Sequence, residues 1–541
     1  MFKNDPTLSA LHNPNYLRLW SAFLSSVLSG TLHIVAASWL MTDLTNSAHM
    51  VALVNGAYAT PVMLFSLFSG VIADGFNRRI VIIIAQTFML SMTVILAGIT
   101  WFGYLTPETL LLLTFLMGCG IALQNPSWQA SMGDIVERKD VPSAVVLNNI
   151  AYNIARSVGP AIGGAVMTFI SAAATFLIST IGYMVMISAL FAWRPEVKVK
   201  TLTREPFFSA LASGFRYASM ASNIPKAIIR AFVYSFSGIA ITALLPLIVK
   251  DQLGGGVLTF GFMLACFGCG AMAGALASGR FRQRFENENI ARIAFLVSAL
   301  STLGIAYSNT SLICGIFLVI AGGSWVNGMS LFNVTIQLSS PRWIVGRTLS
   351  LHHTGVYGGL ALGSATAGFL ADQYDISTAL MVASGILICG GMLGFLIPLP
   401  QVTGFDLDPS DRFIEPHLAL DLQGRSGPIA ISIEYEIDEN NHKEFLTAMA
   451  IRRRNRIRDG ARKWALLRDL EKPDMWTENY HVPTWEEYIR HNSRQTNADL
   501  DNIAKIKSLN KYGTQLRVSR KIQRQPSLNK PNQTPAIGTE Y

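Results

Sequence analysis

Twelve stretches of mostly apolar residues run through the chain, at 17–41, 48–73, 80–103, 107–131, 144–170, 172–193, 227–250, 256–278, 290–308, 311–336, 348–371 and 376–398. Lipid offers no partner to a free backbone amide, so a crossing segment must close its own hydrogen bonds, and about 20 apolar residues make one helical pass. The charges follow the same division. Residues 1–401 hold 21 Lys+Arg and 14 Asp+Glu, which leaves 43 − 21 = 22 and 34 − 14 = 20 for the last 140 residues. The first part reads as an all-α membrane protein of twelve transmembrane helices, and the second as a small soluble α+β domain. This distribution excludes a secreted disulfide scaffold, a disordered chain and a purely soluble enzyme. The net charge of +9 calls for no nucleic-acid partner, because loop cations also set membrane orientation.

The loops alternate in charge. One set carries Arg78, Arg79, Arg138, Lys139, the run from Arg194 to Arg216, Arg280 to Arg292, Arg342 and Arg347, whereas the other offers only Lys250. The rule that positive loops stay inside puts the first set and both termini in the cytoplasm, in a multi-pass protein of the cytoplasmic (inner) membrane. The polar lead with Pro6 and Pro14 has no small-residue cleavage site, so no removable signal peptide is expected. All five cysteines fall within the apolar stretches. Cys266 and Cys269 have a C-x-x-C spacing but no neighbouring His or second Cys pair, so packing is expected, with no metal and no cofactor.

At an offset of 204 residues, Gly70, Ala73, Gly75 and Arg78 meet Gly274, Ala277, Gly279 and Arg282, and Leu147, Gly159 and Gly164 meet Leu351, Gly363 and Gly368. Two separate clusters sharing one offset point to duplication. The expected organisation is two six-helix bundles in a domain over 1–401, with an N-terminal bundle at 1–193, a cytoplasmic linker at 194–226 and a C-terminal bundle at 227–401. A substrate site between such halves lies near mid-membrane.

Gly70-Val-Ile-Ala-Asp74-Gly-Phe-Asn-Arg78-Arg79 puts a carboxylate and two guanidinium groups at a helix end, where they can pair in one conformation and part in another, as a latch. Gly159-Pro160-x-x-Gly163-Gly164 combines close helix approach with a proline that removes one backbone hydrogen bond. With these two motifs the chain resembles the major facilitator superfamily. The first is similar to its loop signature between spans two and three, and the second to the signature of its antiporter branch. Gly75 and Asn77 depart from the first pattern, and Ser278 replaces the Asp in the second-half copy, so the charge latch is expected in the first half. Asn13 to Trp20 and Trp39 to Ser47 resemble, more narrowly, the enterobactin-exporter-like branch.

In the superfamily this chain resembles, spans one, four, seven and ten face the cavity. The polar residues there make Ser25, Ser29, His33, Gln124, Asn125, Gln129, Tyr234, Trp325 and Asn327 the candidate cavity residues. Arg156 joins them from span five, because a guanidinium facing lipid at that depth would cost several kcal/mol. No Asp or Glu occupies a mid-span position, which favours a neutral or anionic small-molecule substrate over an organic cation. No phosphate-cradling loop is present, so a proton-coupled cycle is expected, with His33, Asp43, Asp134, His352 and His353 as coupling candidates.

After Pro400 the pattern changes. Strands at 428–437, 461–469, 475–482 and 515–522, a helix at 442–456 capped by Asn440, and a second from the Thr484/Glu487 capping box to Leu509 give the order βαββαβ. This is a ferredoxin-like domain over 423–524, followed by a disordered tail at 525–541. It resembles the antibiotic-biosynthesis monooxygenase domain, which implies a dimer through its sheet. Trp464, His481, Trp485 and His491 are of catalytic types but form no clear constellation, and the arginines from Arg452 to Arg458 could meet anionic lipid. The expected function is a secondary active exporter, not an enzyme. An importer of the same fold and a membrane-tethered oxidoreductase are the rival readings.

Overall fold

The computed structural model describes residues 6–193, 207–341, 343–401, 413, 415–420, 422–511 and 516–524. They form two compact units, Met1–Ser340 with Ile344–Thr403, and Pro341–Trp343 with Gly404–Tyr541.

The first unit is helical. Its long helices are α1 (Pro14–Leu44), α2 (Ala48–Gly75), α3 (Arg78–Trp101), α4 (Pro107–Ile135), α5 (Val141–Phe169) and α6 (Ala172–Ala192), then a short α7 (Phe207–Met220). There follow α8 (Ile224–Leu247), α9 (Val257–Arg284), α10 (Asn287–Ala306), α11 (Ser311–Leu338), α12 (Val345–Gln373) and α13 (Ile376–Leu396). Polar side chains start many of them. Asn13, Ser47, Asn77, Thr106, Ser171, Thr310 and Asp375 each accept a hydrogen bond from a first-turn amide that has no partner inside its helix.

Among the described residues, ten helices are long and apolar enough to cross a membrane: α1–α4, α6, α8 with the π-helical turn Ile248–Gln252 that follows it, α9–α11 and α13. The other two expected crossings are helices of 29 residues, α5 and α12, that fall outside this set. Helices α12 and α13 begin and end 204 residues after α5 and α6 (141 + 204 = 345, 169 + 204 = 373, 172 + 204 = 376, 192 + 204 = 396). The expected linker falls partly outside the described residues, and its described part carries α7. The expected disordered tail, 525–541, lies outside them.

The apolar core has an unequal plan. Toward the ends of the helices at Leu44, Ala48, Leu247 and Ile376, one continuous cluster joins Val35, Met41, Val51 and Leu96 to Leu244, Phe260, Leu318 and Leu380. Toward the opposite ends the core divides. Tyr16, Phe23, Trp128, Leu147 and Met186 form one cluster, and Ala227, Tyr234, Phe295, Phe332 and Leu387 another. Two helix pairs join the halves, α5 with α9 toward the continuous end and α2 with α12 toward the divided one. A Cβ at Gly164 of α5 would stand 3.0 Å from the Gly261 Cα of α9, and one at Gly70 of α2 would stand 2.9 Å from the Ser350 Oγ of α12. At Gly164, where the neighbours are backbone atoms, only glycine permits so close an approach.

The second unit holds β1 (Ile429–Glu436), α14 (His442–Arg458), β2 (Arg462–Arg468), β3 (Met475–Val482), α15 (Trp485–Ser493), α16 (Asn497–Ser508) and β4 (Arg517–Ile522). The sheet order is β2-β3-β1-β4 and every neighbouring pair is antiparallel. Ile429, Ile431, Ile433 and Tyr435 alternate inward against Phe445, Ala448 and Met449 of α14, as the period of two requires. Two local expectations are corrected. Asn441 rather than Asn440 precedes α14, because a 3-10 turn over Glu439–Asn441 comes first. The helix expected from Thr484 to Leu509 is two helices. Thr484 accepts from the Glu487 amide at 3.2 Å as expected, but Thr496 and Asp499 form a second capping box that starts α16 afresh.

Candidate functional site

Midway along the helices of the first unit lies a cavity of about 340 Å³, within the size range of small-molecule sites. Ser26, Gly30 and Thr31 of α1, Gln124 and Asn125 of α4, Gly238 and Thr242 of α8, and Trp325 of α11 line it. Helix α2 adds Asn55 and Tyr58, α5 adds Tyr152, Arg156 and Pro160, α6 adds Tyr183, and α12 adds Tyr357. Arg156 is the one cation among the described lining residues, and no carboxylate lines the space.

Arg156 is solvent-accessible and forms no ion pair among the described residues. Tyr58, Tyr152 and Tyr357 stand close enough to feel its charge. Tyr152 donates a hydrogen bond to Asn125 Oδ1 at 3.0 Å, which holds both side chains at the wall. Opposite polar character comes from Trp325. Its ring stacks on Tyr234 with centroids 5.5 Å apart and planes 18° apart, and a Cβ at Gly238 would stand 2.7 Å from it. Phe267, Leu264, Ile239 and Leu360 are further apolar lining residues.

Of the candidate cavity residues, Gln124, Asn125, Arg156 and Trp325 meet at this cavity. The others sit elsewhere. Ser25 donates to the Ser21 carbonyl, and Ser29 is buried against α6 at Gly182. His33 is fully buried beside Phe176, ring centroids 5.4 Å apart, and neither ring nitrogen has a hydrogen-bond partner. Gln129 is exposed away from the cavity. Tyr234 backs Trp325 from behind, its hydroxyl 2.7 Å from Ser298 Oγ, and Asn327 donates to the Gly323 and Gly274 carbonyls. The residues not anticipated are chiefly Asn55 and the tyrosines. Their signal was a polar tip inside an apolar run, which needs a partner or water.

The antiporter-like motif borders the same space. Gly159 packs on Thr31, Gly163 on Val35 and Gly164 on Gly261, so α5 is wedged between α1 and α9 while Pro160 reaches the cavity. In the latch motif, Arg78 donates to Asp134 Oδ2 and to the Ala130 carbonyl, both at 2.7 Å, and Arg79 donates to the Leu190 and Phe191 carbonyls. These bonds fasten the start of α3 to the ends of α4 and α6. The Asp74 side chain lies outside the described residues.

Among the coupling candidates, Asp134 is thus paired with Arg78, and Asp43 pairs with Lys250 at 3.1 Å. His352 is buried, with its ring centroid 5.9 Å from that of His353, which in turn lies 6.3 Å from the ring of the cavity residue Tyr357.

In the second unit two of the residues of catalytic type, Trp464 and His491, join one buried cluster through Glu478 and Arg456, while Trp485 and His481 lie apart from it. Trp464 donates to Glu478 at 3.0 Å, His491 accepts from Arg456 at 2.8 Å, Trp485 donates to Glu415 at 3.3 Å, and His481 lies on the other face of the sheet, in register with Ala430. Glu478 is completely buried and holds Arg452 and Arg456 as well as the Tyr435 hydroxyl. Burial alone would push this carboxyl up, but the two guanidinium groups and the hydrogen bonds from Tyr435 and Trp464 bring it down to about 2. Arg458 pairs with Asp459 and Asp499, and Arg453 lies over the Trp464 ring. Much of the basic run is therefore engaged inside this unit.

The chain is 23% identical over 369 residues to the staphyloferrin A transporter of Staphylococcus aureus, covering 67% of this chain and 91% of that protein. It is 22% identical over 413 residues to the multidrug efflux pump Tap of Mycobacterium tuberculosis, covering 74% and 97%. Among solved structures it is similar to a bacterial homologue of the human lysosomal transporter Spinster in an inward-facing, unoccupied conformation. The TM-score is 0.56 at 14% identity, covering 73% of this chain and 96% of that one, a likeness of fold. The family described as transmembrane secretion effector matches residues 6–527, and the chain therefore belongs to it, a multi-pass membrane transporter of the major facilitator type rather than an enzyme.

Proposed function

We propose that this chain is a secondary active exporter that carries a small neutral or anionic organic molecule, siderophore-like or drug-like, out across the inner membrane. The observation that carries the reading is the central cavity, with one cation and no carboxylate, enclosed where the core is continuous and flanked by two separate clusters toward the other side. All twelve long helices cross, in two bundles of six related by the 204-residue offset, with α5 and α12 placing their glycine seams at the bundle interface. Both termini and the basic loops face the cytoplasm. The divided end is then cytoplasmic and the continuous end outward. Rocking of the bundles exposes the cavity to each side in turn.

The name of one relative, a multidrug efflux pump, supports export, and that of another, the staphyloferrin A transporter, supports a small organic solute. Protons drive the cycle through His33, His352 or His353, since Asp43 and Asp134 are held by cations. The C-terminal unit takes the ferredoxin-like arrangement, supported by its order β2-β3-β1-β4, and serves assembly by pairing with a second copy, with exposed arginines resting on anionic lipid. The test is release from inside-loaded cells or vesicles of a siderophore and drug panel under an imposed pH gradient. Substrate accumulating inside, or release independent of the protein, would overturn the reading.

A further inference from the structure

Resting on the reading of the central cavity as the transport site, we propose that the solute carried is an amphipathic monocarboxylate, its carboxylate seated on Arg156 and its apolar body lying against Trp325. A guanidinium inside a helical membrane body normally comes with a protein acid as partner. Arg156 has none among the described residues, although Arg78, Arg230 and Lys250 of the same unit are each paired with a carboxylate. Its fork of donors therefore points at a space that only a solute or water fills, and that fork matches the two oxygens of a carboxylate.

The neighbours fit the same group. Tyr58, Tyr152 and Tyr357 line the cavity around Arg156; the Tyr152 proton goes to Asn125, and the phenols of Tyr58 and Tyr357 can donate to whatever carboxylate oxygen the guanidinium leaves over. The charge count sets the valence. One cation balances one negative charge, whereas a phosphate monoester would bring about −1.5 to −2 into a cavity with no second cation. The cavity wall also has an apolar part. Trp325 is braced by Tyr234 behind and by Gly238 beside it, so its ring is a fixed flat shelf, and Phe267, Leu264 and Leu360 line the same cavity. A solute with a charged head and a flat or branched apolar body finds a partner for each among these lining residues.

The test is calorimetric binding to the full chain in lipid nanodiscs. The probes are benzoate, 1-naphthoate, indole-3-acetate and decanoate, each with its primary amide and methyl ester. At least one carboxylate is expected to bind at least tenfold more tightly than its own amide and ester. That preference should vanish in Arg156→Gln and persist in part in Arg156→Lys, which keeps the charge but not the fork. Should Arg156→Gln not fold, Tyr357→Phe, which removes one hydroxyl and little else, is expected to weaken the carboxylate severalfold and leave the amide unmoved. Amides or esters binding as tightly as their acids, no carboxylate binding at all, or a preference indifferent to both substitutions would each overturn the inference. Carboxylate binding that persists where outward release fails would overturn the export reading instead and leave this one standing.

Discussion

Lys250 Nζ lies 3.1 Å from Asp43 Oδ1 and 2.6 Å from the Thr42 carbonyl, tying the π-helical turn after α8 to the last turn of α1. A second tie crosses the same end. The Asp372 carboxylate, at the end of α12, accepts from the Ser47 hydroxyl at 2.7 Å and from the Ala48 amide that opens α2. Both close the side on which the core is continuous.

These ties should bias the conformational equilibrium without setting it alone. Lys250 and Asp43 are substantially exposed, so their pair is worth about 0–1 kcal/mol, and a carboxylate cap adds roughly 0.5–2 kcal/mol. Combining Lys250→Ala with Asp372→Asn is expected to raise the population open on this side by roughly tenfold, since about 1.4 kcal/mol corresponds to that factor. Spin labels placed at Asn46 and Gly256, where a side chain meets nothing within 4 Å, and read by pulsed dipolar spectroscopy would report it as a growing long-distance component.

The glycine seam makes a contrasting pair of substitutions. A Cβ at Gly164 would stand 3.0–3.1 Å from backbone atoms of Gly261 and Val257, atoms that cannot swing aside, whereas nothing lies within 4 Å of a Cβ at Gly98 in α3. Gly164→Val is expected to lower the melting temperature in detergent and to reduce transport, overpacking costing about 1–3 kcal/mol. Gly98→Ala should hold or raise the melting temperature, because glycine inside a helix costs roughly 0.5–1 kcal/mol relative to alanine.

Much of this was readable from residue order alone, and the failures have a common cause. Apolar runs locate helices because backbone polarity in lipid leaves few alternatives, and Arg156 could be placed by the cost of its charge. What periodicity does not disclose is which neighbour a polar stripe meets. Ser25, Ser29 and His33 share one face of α1, but that face packs on α6, where Gly182 has no side chain to keep it away, while Ser26, Gly30 and Thr31 on the adjoining face reach the cavity. Tyr58, Tyr152 and Tyr357 escaped notice because tyrosine passes for apolar in a hydrophobic window. In the C-terminal unit, Thr496 and Asp499 carried the same capping signal as Thr484 and Glu487, but the apolar pattern running through them masked the restart.

His33 offers a test that separates packing from coupling. It is wholly buried with two unsatisfied ring nitrogens, an arrangement that costs about 1–3 kcal/mol per buried unpaired group. His33→Leu is therefore expected to raise thermal stability. If the ring takes up the coupling proton, the same variant will also flatten the dependence of export rate on pH, measured in proteoliposomes. A stabilised variant with an unchanged profile would leave His352 and His353 as the remaining histidines among the coupling candidates.

Acid should loosen the C-terminal unit in two stages. His491 is held neutral, chiefly by burial and then by the Arg456 guanidinium, its ring accepting from Arg456 and its Nδ1 3.2 Å from the Asp459 carbonyl. Its value lies well below the ordinary 6.5, so the stability tied to the neutral ring is complete above that pH and declines as pH falls beneath it. Glu478, lowered from 4.5 to about 2, adds a contribution that is complete above pH 4.5 and is lost as pH falls toward 2. Removing the carboxylate should have a related effect at neutral pH. Glu478→Gln leaves Arg452 and Arg456 without their buried partner, and breaking such a pair costs roughly 3–5 kcal/mol. Hydrogen exchange of the β3 amides in the full chain is expected to accelerate in that variant, with its step below pH 4.5 abolished and the earlier one from His491 retained. Exchange in Glu478→Gln that matched the unsubstituted protein across this range would show that the cluster does not hold the sheet to its helices.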